Sequence, residues 1–376
     1  MWKMLKTFFI LEKSNKRNIF TCIFVAVFVL GLVLFVKTED LGNATKENSS
    51  EYQSLSSALI KFQNVDATEN GNGSELYRNL VLQRRLVSTQ NMALIMDLPE
   101  IYLNSSIELA SLRADAFELD GYDDVAIYLP SKIENQFKLV FLQHVKKTGM
   151  SLSVDSLSYF PFLAYLFGVL GSVWFVFMSL YSCGIMMEDF RHTSLIKGYP
   201  VTFNKYVIAK CISSMLIVGV ILLELFVCSL PLIYFNGTGN SSYPIAIFDG
   251  IVQVYPIVKY LAVAIVYMIC ISIFTILLSV ILNVLLKNMY LTLFVELLLY
   301  IFPVLFPSMI SLFPLNPFNY LNFTDVYNGQ TLDLPNPVAL NGMQGLIYIG
   351  LSIVIMGIAV KYFLSTGKLQ KFRGVS

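Results

Sequence analysis

The stretch Ile257–Leu286, IVKYLAVAIVYMICISIFTILLSVILNVLL, decides the fold class, because Lys259 is its single charged residue and the rest has almost nothing to offer water. A bilayer core of about 30 Å takes roughly 20 apolar residues of helix. Comparable runs recur at Ile19–Val36, Tyr159–Met187, Tyr206–Phe235, Met289–Met309 and Gln344–Leu364. The expectation is an all-α membrane protein with six transmembrane helices. Tyr159–Met187, Tyr206–Phe235 and Ile257–Leu286 exceed the bilayer's need, so they tilt or project into water. Composition agrees, with 56% hydrophobic residues and a mean hydropathy of +0.66, too apolar for a soluble chain of 376 residues.

Charge then orients the chain. The net charge of +1 gives no global field for nucleic acid or an acidic substrate, so the information lies in distribution. Lys3, Lys6, Lys13, Lys16 and Arg17 precede the first span, Arg191, Lys197 and Lys205 lie between the second and third, and Lys368, Lys371 and Arg373 follow the last. Loops 236–256 and 310–343 contain no lysine or arginine. The positive-inside rule therefore places both termini in the cytoplasm of a cell whose plasma membrane the chain crosses repeatedly. Basic residues before an apolar run also suit a signal peptide. Lys37-Thr-Glu-Asp40 follows Val36 with no small-residue cleavage site, so an uncleaved anchor is expected.

Three regions follow. Residues 1–36 are read as an interfacial helix and the first span, residues 37–157 as an extracellular domain, and residues 158–376 as the membrane domain. In the amino tail a helix would place Lys3, Lys6 and Lys13 opposite Met4, Leu5, Phe8, Phe9 and Leu11, with Ser14-Asn15 ending it before the span. The extracellular domain carries eleven basic residues, which does not oppose its assignment because long domains cross regardless of charge. Apolar residues recur three and four apart over Glu51–Phe62, Ser74–Met96, Ile107–Phe117 and Ile133–Lys147, so four helices are expected there. Asn70-Gly-Asn-Gly73, Pro99, Asp120-Gly121 and Pro130 separate them, and only Asp124–Tyr128 looks like a strand. All five cysteines fall in apolar stretches, which excludes a disulfide framework for this domain. Its Asn-x-Ser/Thr triplets at Asn43, Asn48, Asn72 and Asn104 are of the kind an Asn/Ser-rich sequence produces by chance.

The loop Glu188–Lys205 is the longest internal connection and is neither flexible nor wholly polar in composition. Glu188 and Asp189 favour a helix start, Lys197 sits near its end, Gly198 supplies a terminating left-handed residue and Pro200 stops continuation. Phe190, Leu195, Ile196, Tyr199, Val201 and Phe203 are apolar in a cytoplasmic segment and need covering. Composition leaves two coverings open, the chain's own body or an external partner.

The loop reads Glu188-Asp-Phe-Arg-His-Thr193, then Ser194-Leu-Ile-Lys-Gly-Tyr-Pro-Val-Thr-Phe203, with Asn204-Lys-Tyr-Val-Ile-Ala-Lys210 leading into the third span. It resembles the corresponding loop of the type 2 ABC export permeases, of the form acidic-x-x-x-Gly-Thr, a Leu-rich helix, then Pro-Val-Ser-Arg. His192 stands where that family has glycine, and Asn204 stands near its basic position. The resemblance extends to an interfacial amino helix, six spans, cytoplasmic ends and an outer domain after span one. In that family the loop is a coupling helix, here 188–200, that fits a groove on a separate nucleotide-binding subunit. It implies Glu188, Phe190, Arg191, Thr193, Leu195 and Ile196 as the ATPase-coupling residues. The family also has a re-entrant segment after span five, and Pro303, Pro307, Pro314 and Pro317 make Pro303–Phe323 its counterpart, since helix across four prolines is costly.

Two carboxylates, Glu224 and Glu296, lie inside spans, where burying a charge is expensive. Each either hydrogen-bonds a hydroxyl or amide at a protein interface or lines a substrate path or permease–permease contact. Catalytic chemistry is poorly supported. His144 and His192, the two histidines, fall on opposite sides, so no histidine-based metal cluster is expected in one compartment. No P-loop occurs, since Gly367-Lys368 is followed by leucine, and no Gly-x-Ser-x-Gly elbow occurs. The expectation is therefore a permease without a catalytic residue, metal or bound cofactor of its own, moving an amphipathic or hydrophobic peptide, antibiotic or lipid-like molecule. ATP and Mg would sit on partner ABC ATPase subunits, and a second permease copy or related permease would complete the assembly in the lipid bilayer. A membrane-bound peptide sensor or immunity protein without transport is the alternative.

Overall fold

The computed structural model describes residues 2–62, 74–191, 203–333 and 337–365. Helix dominates it, and five helices are long and apolar enough to cross a membrane. They are α2 (Lys16–Thr38), α7 (Tyr159–Ser182), α9 (Phe203–Ser229, followed at once by the short α10, Pro231–Asn236), α11 (Ile257–Leu286) and α15 (Gly342–Ser365). The sixth apolar segment forms α12 (Met289–Leu305), which at 17 residues is shorter than these five. Its Pro303 lacks the amide that would continue the ladder, and the helix ends at Leu305, with Phe306 as its cap.

Ser14-Asn15 separates α1 (Trp2–Ser14) from α2. The Asn15 side chain accepts from the Arg17 amide at 3.1 Å, and Asn18 Nδ2 donates back to the Glu12 carbonyl at 2.9 Å, so the elbow is hydrogen-bonded on both sides. Both arms close on α9: Phe8 of α1 meets the Tyr206 ring edge-on at 5.1 Å, and Val25, Val29, Val33 and Val36 line the buried stripe of α2. α11 is the most buried of the five long helices and α15 the least. Trp174 of α7 fixes the central pair, its Nε1 donating to the Met268 carbonyl and to Ser272 Oγ, each at 3.0 Å.

Beyond Phe306 the chain breaks into short pieces, α13 (Pro307–Leu312), a 3-10 turn at Pro317–Tyr320 and α14 (Phe323–Asn328). Short helices are what four prolines predicted. They are held by close approach: a Cβ on Gly171 would lie 2.5 Å from the Phe323 ring, so α7 needs glycine there. Thr324 Oγ1 donates to the Gly168 carbonyl, and Tyr267 Oη donates to the Tyr320 carbonyl at 2.9 Å, satisfying irregular backbone with a span side chain.

Residues between α2 and α7 form α3 (Ala44–Ile60), α4 (Glu75–Ile95), α5 (Pro99–Ala116) and α6 (Lys132–Thr148). The four expected helices are present, although α3 starts earlier, at an Asn43 cap, and Pro99 opens α5 at its first turn rather than standing outside it. Leu55, Leu76, Leu80, Val87, Leu109 and Val125 make their own core. Behind it runs a buried polar layer: Arg113 pairs with Glu51, its Nε donates to Gln83 at 3.3 Å, and Gln83 donates to Asn79 at 2.7 Å. Burial would raise the Glu51 carboxyl, but Lys138 and Arg113 outweigh it and hold the group below the ordinary glutamate value.

Two expectations are corrected. Asp124–Tyr128 is not a strand; the region makes 3-10 turns at Tyr122–Asp124 and Ala126–Tyr128, because Val125 is drawn into the helical core and the run has no partner strand among the described residues. Strand pairing occurs instead within 236–256, read above only as a loop, where β1 (Pro244–Phe248) and β2 (Val252–Pro256) form an antiparallel hairpin. Gly250 turns it at a φ of +79°. Tyr243 beside it contacts Phe141 of α6 at 5.8 Å, joining hairpin to domain.

Candidate functional site

The richest buried chemistry lies at the end of the bundle away from the helical domain, where α7 finishes, α11 finishes and α12 begins. Serines tolerate helix interiors by bonding back to the preceding turn, and Ser182 does so to the Met178 carbonyl at 2.7 Å. The same hydroxyl meets Ser279 Oγ of α11 at 2.7 Å, and Ser279 donates to the Glu296 carboxyl of α12 at 2.6 Å. Glu296 is fully buried, as are Ser179, Ser279, Asn283 and Thr292 around it. The Ser179 hydroxyl also faces the Glu296 carboxyl.

One turn further, Asn283 closes the seam onto the chain leaving α7. Its Nδ2 donates to the Cys183 carbonyl at 2.7 Å and its Oδ1 accepts from the Met186 amide at 3.3 Å. Its Nδ2 also reaches Thr292 Oγ1 at 3.3 Å. A single amide thus supplies the donor and acceptor that this turn's backbone lacks, and ties it to α12 as well. The turn leads directly into α8 (Met187–Arg191), the described beginning of the loop singled out by sequence. Asp189 of α8 is buried and accepts from Tyr206 Oη at 2.7 Å and from Lys210 Nζ at 2.8 Å, both on α9. α8 is therefore anchored to α9 by an ion pair, and the turn that leads into it is held to α11 through Asn283.

A polar cavity of about 50 Å³ adjoins this seam. Glu12, Arg17, Tyr181, Ser182 and Lys210 are among the residues lining it, so it joins the α1–α2 elbow to the serine chain. Arg17 faces the Tyr181 ring at 5.9 Å.

Of the sequence-predicted coupling residues, Phe190 is half-buried and packs against the main core. Glu188 and Arg191 fall in α8, while their side chains, together with Thr193, Leu195, Ile196 and the remainder of 188–200, lie outside the described residues. Glu224 and Glu296 are not neighbours in one cluster. Glu296 belongs to the seam; Glu224 sits on α9 beside the Cys22 thiol of α2. Sequence reasoning passed over Asp189's partners and Asn283. The spacing Ser279/Asn283 on α11 and Thr292/Glu296 on α12, each four apart within apolar runs, was the available signal. Among the described residues no group of His, Cys, Asp or Glu is arranged to hold a metal.

Fold and seam together define a multi-pass helical membrane protein whose bundle has a hydrogen-bonded polar interior at one end. No protein-family model matches the chain, nor does any curated protein or solved structure.

Proposed function

We propose that the chain is the permease subunit of an ATP-driven exporter of the type 2 ABC kind. It moves an amphipathic or hydrophobic substrate, a peptide, antibiotic or lipid-like molecule, across the plasma membrane and is driven by separate ATPase subunits through residues 188–200. The observation that carries this reading is the anchorage of α8 to α9 together with that of the turn entering it to α11. A lever must be stiff where force leaves it, and Asn283 and the Asp189–Lys210 pair connect the loop's first turn to α11, α12 and α9. Displacement of the loop would be passed to Ser279 and Glu296 without first stretching a flexible linker.

The rest of the topology fits that role. α12 at about 1.5 Å per residue reaches roughly 25 Å, close to the bilayer core, and serves as the fifth of six spans. The lysine and arginine distribution puts both termini and α8 in the cytoplasm and the helical domain outside. α1, with Ile10 and Leu11 exposed beside Lys6 and Lys13, lies in the inner interface. The re-entrant element Pro303–Phe323 takes in the last residues of α12, then α13 and the 3-10 turn, near the outer surface.

Affinity purification of the full chain tests the reading. An ATPase should co-purify and be lost when Leu195 and Ile196 are both changed to aspartate, in protein that still elutes as a folded species. Absence of any ATPase from the unsubstituted chain, or labelling of the Ser194 region from outside the cell, would overturn it and favour the sensor alternative.

A further inference from the structure

The turn joining α4 to α5 exposes a contiguous set of large apolar side chains. Ile95 is 82% exposed and Met96 61%, with Met92, Leu98 and Ile101 open beside them. Asp97, at a φ of +54°, reverses the chain so that both helix ends present these residues together. Side chains of this size in water oppose their own burial tendency at about 25 cal/mol per Å², so a surface that keeps five of them together has something to meet.

The fold says what that is. The inward side of the same turn is Ala93 and Tyr102, which pack on Ala44, Leu94, Leu152 and Val154. Ala44 opens α3 a short turn after α2 ends at Thr38, and Val154 lies just ahead of Tyr159, where α7 begins. The Ala44 amide donates to the Val154 carbonyl at 2.9 Å and the Leu157 amide to the Leu41 carbonyl at 2.8 Å, binding the two connections together. The α4–α5 turn is therefore held at the root of the domain, beside the points where two apolar helices leave and enter the bilayer. By contrast the other end of the domain, built from Leu55, Leu76 and Val125, is a full helix length away along α4.

We infer that this turn is a membrane-seated wedge: Met92, Ile95, Met96, Leu98 and Ile101 insert into the surface of the lipid leaflet on the domain's side and fix the domain's tilt over the bundle. Insertion is shallow, on the order of 5–10 Å into the headgroup–acyl boundary, because exposed Asp97 and Glu100 in the same turn stay with the headgroups. Those carboxylates would repel anionic headgroups, so the wedge favours lipid without net charge.

Ile95→Trp tests the inference against Ile127→Trp, whose position is 84% exposed at the far end of the domain. Each full-length variant is placed in phosphatidylcholine vesicles with and without bromine on the upper acyl chain. Emission of the two native tryptophans, taken from the unsubstituted chain, is subtracted. At position 95 the emission should be blue-shifted and lose intensity in brominated lipid, while at 127 it should be water-like and indifferent. Met96→Trp reads the same surface from the adjacent position and should agree. Water-like emission at 95 and 96 would overturn the proposal, as would blue-shifted emission that bromine leaves untouched, the signature of a second copy or a bound peptide covering the turn.

Discussion

Replacing Asn283 by alanine tests whether the turn after α7 is held by one side chain. The substitution removes the donor to the Cys183 carbonyl and the acceptor for the Met186 amide, leaving two backbone groups without partners at a fully buried position. Hydrogen bonds between helices in membranes average about 0.6 kcal/mol each, and each orphaned buried group adds about 1–3 kcal/mol, so the two bonds and two groups together give an expected loss of about 3–7 kcal/mol. At about 2.1 cal/mol/K per residue, a chain of 376 residues shifts by about 1.3 °C per kcal/mol, so the melting temperature in detergent should fall by about 4–9 °C. Leu285→Ala is the control, one turn-half away on the same helix but 58% exposed, and should melt close to the unsubstituted chain. In the proposed transporter, Asn283→Ala should also separate ATP hydrolysis from transport, lowering substrate moved per ATP consumed while the ATPase stays bound. Equal melting of Asn283→Ala and Leu285→Ala would refute the anchorage and with it the mechanical part of the proposed function.

Further outcomes follow from the same geometry. Glu296→Gln keeps an acceptor for Ser279 and should be within about 1 kcal/mol of native stability, whereas Glu296→Ala should cost more through the cavity and the unpaired serine; export assays of both, beside Glu224→Gln, show whether either carboxyl works in transport. Gly171→Ala forces a methyl against Phe323 and should destabilise the chain by about 1–3 kcal/mol, measured as loss of folded protein on size exclusion. In the helical domain, Arg113→Met removes one of two cations from Glu51, leaves Lys138 in place and orphans Gln83, and should cost about 1–3 kcal/mol by thermal melting. Because the Glu51 carboxyl is held below its ordinary value of about 4.3, its contribution is present above that pH and lost as pH falls through the lower folded value. The stability difference between the native chain and Glu51→Gln should therefore shrink on acidification; a difference that grows would contradict the sign.

Much of this fold is legible in the sequence because lipid imposes a simple rule: long apolar runs such as Ile257–Leu286 have one destination. The four helices of the polar domain were legible from three-four periodicity, and the broken segment after Leu305 from its prolines. What stayed hidden depends on partners far along the chain. Pro244–Phe248 is too short to declare itself, and its strand character comes from Val252–Pro256 and from packing on α6. Glu296 stood out as a carboxylate in an apolar run, but Asn283 carries no charge and its role exists only because the Cys183 carbonyl lies opposite it. Asp189 could be read as a helix start; that Lys210, beyond the loop, would neutralise it required the return of α9.

The elbow at Asn15 also sets a schedule for biosynthesis. Phe8 and the valine stripe of α2 find their seat on α9, yet Tyr206 is translated 198 residues after Phe8 (206 − 8). At about 5–20 residues per second, the amino-terminal hairpin waits on the order of 10–40 s for its groove. Its second arm can wait in lipid, because α2 is apolar from Ile19 to Val36 apart from Thr21.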